Sequence, residues 1–307
     1  MIELFNIPNY KIDTAEFSHL LHGGIVEELE QNFAEYVGAK YACTANSASS
    51  LLFLALKQYE NKIINIPSTI PVVVPNVITN TNNKILFYND TEWVGNCYHL
   101  HDNIFDSAQE VTRNQYKELE NDDAIVIFSF YPTKPVGGCD GGIVVSNNKK
   151  HIEYFKIMTM NGTKFDEESW SREQVAPGYK MHCNSIQAYI ANENLKKLDS
   201  KNSILDQIRT VYNAALGYNN KSRHLYRIKV DNNIEFLHKM KKVGIQCGIH
   251  YKHCHDNPIY NNIEMGIGSL NRSATESETT ISLPFHEKLS LSDIKKVIHH
   301  AMANSRE

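Results

Sequence analysis

Between residues 25 and 146, short apolar runs of strand character alternate with segments of helical period, and that alternation constrains the fold most. Ile25, Val26, Leu29, Phe33, Tyr36 and Val37 recur at helical spacing, and Gly38 stops the run. A short strand is expected at 41–45, after which Asn46-Ser47-Ala48-Ser49-Ser50 opens an apolar helix over 51–56. Strand-like 63–66, helix-like 72–78 and strand-like 84–88 follow, with further strands expected at 103–106, 124–130 and 142–146. Such alternation predicts an α/β fold built on a mostly parallel, doubly wound sheet. Ligands of these sheets sit beyond the carboxyl ends of the strands. Ser47 to Ser50, Asp106 and Lys134 all fall at those ends.

From 185 to 216 the pattern is almost wholly helical, and Lys196-Lys197-Leu198-Asp199 marks a hand-over between domains. The remainder reads as strand 225–230, helix 234–243, strand 245–251, strand 279–283 and helix 292–302, a small α+β unit, with Ser290 or Ser292 capping the last helix. A large domain over 1–199 and a small one over 200–307 are therefore expected. The net charge of -4 gives no basic stripe for nucleic acid. No apolar run approaches membrane-spanning length, and residues 1–10 lack a basic-then-apolar leader pattern, so a cytoplasmic location is expected. The six cysteines are scattered without a C-x-x-C pair, which suits reduced thiols.

The chemistry concentrates around Lys134. It lies just past the apolar run 124–130, in Phe128-Ser129-Phe130-Tyr131-Pro132-Thr133-Lys134, and Gly137-Gly138 and Gly141-Gly142 follow. A lysine held at the end of a buried strand loses its proton readily, because desolvation disfavours the ammonium. A neutral, positioned amine is what Schiff-base formation requires. Ser47, Ala48 and Ser49 begin a helix and can hold a phosphate at its positive end, or simply cap it. Asp106 can pair with a protonated pyridine nitrogen, or be a turn aspartate. Ser129 can donate to the phosphate, or face water. Taken together, in this order and at these strand ends, the four elements fit a phosphate-bearing aldehyde cofactor.

In these residues the sequence resembles the DegT/DnrJ/StrS family of sugar aminotransferases, which use pyridoxal 5'-phosphate on an aspartate-aminotransferase-like fold (fold type I). Residues 33–42 are similar to the family's lead-in to its phosphate-binding helix, and Phe105-Asp106-Ser107-Ala108-Gln109 to its EDAAQ segment. Residues 129–134 resemble its Schiff-base motif, and Gly138-Cys139-Asp140-Gly141-Gly142 the glycine signature after it. Residues 178–199, 244–251 and 282–290 resemble the helix beyond the active site and the small domain. The resemblance implies Lys134 and Asp106 as catalytic residues. It implies Ser47, Ala48, Ser49, Gln109 and Ser129 around the cofactor, Gln109 approaching the ring hydroxyl. Tyr131, His250 and Tyr251 would lie on the substrate side. It further implies a homodimer with shared active sites, a nucleotide-linked keto-deoxysugar as acceptor, and glutamate or glutamine as donor.

The chain also departs from the pattern. Between Asn89 and Ile104 it is shorter than the family, as though a strand–helix unit were missing. The position of the family's ring-stacking aromatic holds Pro71, which covers a ring face without π-stacking. Where the family has an asparagine that reaches the neighbouring subunit's cofactor phosphate, Lys180 stands, able to make that contact as a point charge; His182 replaces an arginine. The alternatives are a non-catalytic, cofactor- or partner-binding descendant and a sugar dehydratase. The dehydratase branch replaces the Schiff-base lysine with histidine, so Lys134 argues against it. His250, His253, Cys254 and His255 are close enough in sequence to suggest a metal, but strand alternation would put His250 and His253 on opposite faces, and no metal is expected.

Overall fold

A computed structural model describes residues 1–21, 23–164, 173–260 and 270–304. Helix α1 (Gly24–Val37) buries Leu29, Phe33, Ala34, Tyr36 and Val37, and the Gly38 amide closes it on the carbonyls of Ala34 and Glu35. Strand β1 (Tyr41–Ala45) leads into helix α2 (Ala48–Leu56), whose Ser47 cap accepts from the Ser50 amide. Then come β2 (Ile63–Pro67), α3 (Val73–Asn80), β3 (Lys84–Tyr88), β4 (Tyr98–His101), β5 (Ile104–Asp106), β6 (Ile125–Ser129) and β7 (Gly142–Ser146). Helix α4 (Lys149–Thr159) follows, with the two-residue strands β8 (Thr163–Lys164) and β9 (Glu173–Gln174). Helices α5 (Ser185–Lys196) and α6 (Leu198–Leu216) precede β10 (Tyr226–Lys229), α7 (Asn233–Lys242), α8 (Asn271–Thr279), β11 (Thr280–Leu283) and α9 (Leu291–Asn304).

The chain divides into two compact units. One comprises 9–60 and 97–197; the other comprises 1–8, 61–96 and 198–307. The change of unit at 197/198 adjoins the expected hand-over, while 61–96 groups with the C-terminal residues rather than with the rest of 1–199. In the first unit β1, β7, β6, β5 and β4 form one sheet in that order. β7 is antiparallel to both β1 and β6, and β5 is parallel to β6, so β1, β5 and β6 run the same way and end at one edge. Every residue of β6 and β7 is buried, as central strands covered on both faces require.

Strand β4 answers the shortened segment. Instead of a strand–helix unit, the chain makes a tight hairpin, with β4 antiparallel to β5 and a register shift between His99 and His101. In the second unit, β2 and β3 pair in parallel and β10 and β11 antiparallel. Tyr212, Tyr226, Phe236, Met240, Ile281 and Val297 belong to a core that β10 and β11 share with α6, α7 and α9. The expected strand over 245–251 is not a ladder strand: Ile245 and Gly248 make only isolated bridges, to Ile2 and Ser282. Ser290 is the cap of α9: its hydroxyl accepts from the Asp293 amide at 3.1 Å, and the Asp293 carboxylate accepts from the Ser290 amide at 3.0 Å.

Candidate active site

Ladder register brings the expected groups to one edge of the first unit's sheet. Ala45, the last residue of β1, is paired with Gly142, and Gly142 with Ser129, the last residue of β6. Asp106, the last residue of β5, pairs with Ile127 on one side and Tyr98 on the other. Thus Ser47–Ser50, Ser129, Asp106 and the turn after Phe130 all leave the sheet from the same edge. Gly142 has a steric role there. A Cβ on it would lie 2.5 Å from the Ala48 amide nitrogen and 2.6 Å from the Ala48 Cα, so only glycine lets α2 start this close to the strand.

The turn that carries Lys134 is tied at its base. The Phe130 amide donates to the Gly141 carbonyl at 2.9 Å, and the Phe130 carbonyl accepts from Gly138 at 2.7 Å. Within it the Lys134 amide donates to the Tyr131 carbonyl at 2.8 Å. Gly137, at φ 48, adopts a left-handed conformation beside the Pro132 carbonyl, and Asn194 of α5 donates to the Gly137 carbonyl. The Lys134 side chain keeps some solvent access, yet desolvation pushes its amine down to about 8, against a smaller upward pull from Asp106. Among the described residues, none accepts a hydrogen bond from that amine. It is a lysine that gives up its proton more readily than usual, without an ion-pair contact to anchor it.

Asp106 is buried, with 6% of its surface exposed, and burial raises its pKa above the usual carboxylate range. Two donors and the Lys134 charge oppose that rise. The Ala108 amide donates to Oδ1 at 2.9 Å and the Tyr98 hydroxyl to Oδ2 at 3.0 Å. Each carboxylate oxygen retains a further lone pair, so Asp106 has capacity for another donor. Tyr98 escaped the sequence reading. The only signal for it is positional: in a hairpin of this length it lies directly opposite Asp106. Gln109 is buried in the turn after Asp106.

At the start of α2 the Ser47 hydroxyl is committed to capping, accepting from the Ser50 amide at 3.1 Å. The Ala48 and Ser49 amides donate to no other described residue, as the first turn of a helix leaves them. Ser129 Oγ accepts from the Tyr131 amide at 3.2 Å, which leaves its own proton to give. Two amides at a helix N-terminus, one buried hydroxyl, an amine of lowered pKa and a buried carboxylate fit pyridoxal 5'-phosphate in donor type and charge. The strand segment carrying Lys180 passes alongside, since the Asn46 amide donates to the Met181 carbonyl at 2.7 Å; the Lys180 side chain is exposed. Tyr131 is 54% exposed.

Pro71, His250 and Tyr251 belong to the second unit. The Pro71 carbonyl accepts from Val74 at the start of α3. His250 Nδ1 lies 2.9 Å from Ser282 Oγ. Tyr251 stacks on Trp93, with ring centroids 6.3 Å apart and planes 8° from parallel, and Trp93 Nε1 donates to the Thr69 carbonyl. Trp93, like Tyr98, comes from the shortened segment and was not picked out by sequence.

The profile of the DegT/DnrJ/EryC1/StrS aminotransferase family matches residues 9–89 and 104–302. The chain belongs to that family. It is an enzyme of the aminotransferase type, on the fold type I scaffold. The unmatched stretch between 89 and 104 contains β4, the first strand of the hairpin. A Campylobacter jejuni UDP-4-amino-4,6-dideoxy-N-acetyl-beta-L-altrosamine transaminase is 25% identical over 91% of this chain and 89% of its own length. Helicobacter pylori PseC, an aminotransferase involved in the biosynthesis of pseudoaminic acid, has the same fold, with a TM-score of 0.79 at 18% identity over 98% of this chain and 99% of that one. Spr1654 from Streptococcus pneumoniae, in its PLP form, gives a TM-score of 0.79 at 17% identity over 98% of each chain.

Proposed function

We propose that this family member is a homodimeric, cytoplasmic aminotransferase that uses pyridoxal 5'-phosphate. It moves an amino group from glutamate or glutamine to a keto carbon of a nucleotide-linked deoxysugar. The observation that carries the proposal is Lys134, whose amine desolvation makes less basic at a strand edge shared with the buried Asp106. The sugar-nucleotide half rests on the Campylobacter relative, which is a UDP-sugar transaminase.

When bound, the cofactor supplies an electron-accepting ring that stabilises negative charge at the substrate carbon. The chain supplies the rest. The Ala48 and Ser49 amides and the Ser129 hydroxyl would hold the phosphate, with Lys180 offered to the site of a second subunit. The Asp106 carboxylate would keep a proton on the ring nitrogen, Gln109 would serve the ring hydroxyl, and Pro71 would be the residue offered to a ring face. Lys134 Nζ, in its neutral form, would act as the base that removes the proton from the donor's α-carbon and, as its conjugate acid in the second half-reaction, would deliver a proton to the sugar carbon that gains nitrogen. Tyr131, His250 and Tyr251 bind the substrate. Donor product leaves before the sugar enters, so ping-pong kinetics follow.

A single-turnover experiment tests this. Holoenzyme mixed with glutamate alone should lose its violet absorption and gain the near-ultraviolet absorption of the aminated cofactor, at one equivalent per chain. Cofactor that stays bound while neither glutamate nor glutamine changes its spectrum would assign the chain to a non-catalytic role instead.

A further inference from the structure

Three ligand-type side chains outside the proposed active site converge in the second unit: His253, His255 and Asp256, whose ligand atoms lie within 4.8 Å of one another. Each imidazole turns Nε2 toward a different oxygen of the same carboxylate. His253 Nε2 is 2.9 Å from Asp256 Oδ2, and His255 Nε2 is 3.1 Å from Oδ1. The opposite ring nitrogens are also held. His253 Nδ1 is 2.7 Å from Ser277 Oγ, and His255 Nδ1 is 2.5 Å from Ser68 Oγ. Backbone fixes the turn in place, with the Cys254 amide donating to the Ser68 carbonyl at 2.8 Å and His253 bridging Thr69.

The Ser277 contact fixes a tautomer. Ser277 Oγ gives its own proton to the Ala274 carbonyl at 2.9 Å, so toward His253 it can only accept. His253 therefore carries its proton on Nδ1, and in the neutral ring the Nε2 lone pair faces a carboxylate oxygen. Two acceptors 2.9 Å apart require a cation between them. Either Nε2 also bears a proton, or a metal ion sits there. With the second ring parked 4.5 Å away, centroid to centroid, and aimed at the other oxygen, one ion serves all three groups. Ligand atoms bonded at about 2.0–2.1 Å to one tetrahedral ion lie about 3.4 Å apart, so the 2.9 and 3.1 Å separations would open slightly, while any pair out toward the 4.8 Å bound would close.

We propose that His253 Nε2, His255 Nε2 and the Asp256 carboxylate bind a divalent transition-metal ion, zinc by preference, with Ser277 and Ser68 orienting the two rings. Two imidazoles and one carboxylate are a zinc donor set, and hydrogen-bonded Nδ1 atoms are the usual second layer of such sites. Cys254 is not a ligand, because its thiol faces the Ile70 carbonyl at 3.4 Å. The Asp256 side chain is 66% exposed, which gives the ion an entry path and leaves a coordination position for water. The ion acts as a structural cross-link between the 253–256 turn, α8 through Ser277, and the chain after β2 through Ser68.

Zinc titration of chelator-treated, full-length protein tests the site. Wild type should take up one zinc per chain at micromolar concentration, and its melting temperature should rise by about 5 °C at saturation. The His253→Ala/His255→Ala double variant should lose that zinc. Asp256→Asn, a change at an exposed side chain, should bind it at least 10-fold more weakly while melting like metal-free wild type. Zinc-edge absorption should show two imidazoles. Equal zinc uptake by wild type and the double variant, or no uptake by wild type at 100-fold excess, would overturn the proposal and leave a proton between His253 and Asp256.

Discussion

The β6 edge and the β4–β5 hairpin reach the same carboxylate by different routes. The edge is assembled from groups far apart in sequence, Ser47, Asp106, Ser129 and Lys134, which the ladders of β1, β5, β6 and β7 align. This is the portion that the family profile matches. The hairpin lies mostly outside that match, yet its register places the Tyr98 hydroxyl on Asp106. The contrast separates the chemical groups, set by strand ends, from the environment of Asp106, which a short local turn tunes in this chain. If it holds, damage to the edge should remove catalysis, and damage to the hairpin should only shift its pH dependence.

Lys134→Ala should give the largest effect, lowering amino transfer by about 10,000-fold or more in stopped-flow assays, because it removes both the covalent anchor and the proton carrier. Asp106→Asn should follow. A neutral amide cannot hold a proton on the ring nitrogen, and the rate should fall by about 100- to 1,000-fold with cofactor still bound. Gly142→Ala strikes the packing of the same edge. Its Cβ would meet backbone at 2.5 Å, so it should destabilise the protein by about 1–3 kcal/mol in urea unfolding and weaken phosphate capture.

Tyr98→Phe should have the smallest effect and the most specific one. The lost hydroxyl favours the ionised carboxylate, so without it the pKa of Asp106, already raised by burial, rises further. The acid limb of the pH–rate profile should move to higher pH, with roughly 10-fold loss below the limb and little change above it. An equal loss at every pH would place Tyr98 in packing rather than in tuning. On the alkaline side, cofactor capture by the apoprotein should accelerate as pH rises through about 8, because the neutral Lys134 amine is the reactive form and its fraction grows there.

The edge was legible in sequence because continuous apolar runs at 124–130 and 142–146 mark buried strands, and residues just past them must lie at strand ends. The hairpin was not. Tyr98-His99-Leu100-His101 spans four residues, too short for a periodic signal, and Tyr98 acquires meaning only through its register with Asp106. The grouping of 61–96 with the C-terminal unit was equally hidden, since strand β2 reads alike in either unit. The convergence at 253–256 was hidden for a related reason: the segment is not a ladder strand, so alternation does not govern its side chains, and the partners that orient its histidines, Ser68 and Ser277, are distant in sequence.

The central claim is that Lys134 holds the cofactor covalently. Borohydride reduction of the holoenzyme followed by peptide mass mapping tests it most directly. The account predicts one pyridoxyl group per chain, on the peptide containing Lys134, and a Lys134→Ala protein that shows neither the label nor the violet band. A labelled lysine elsewhere, or a wild-type protein that stays colourless with excess cofactor, would contradict it.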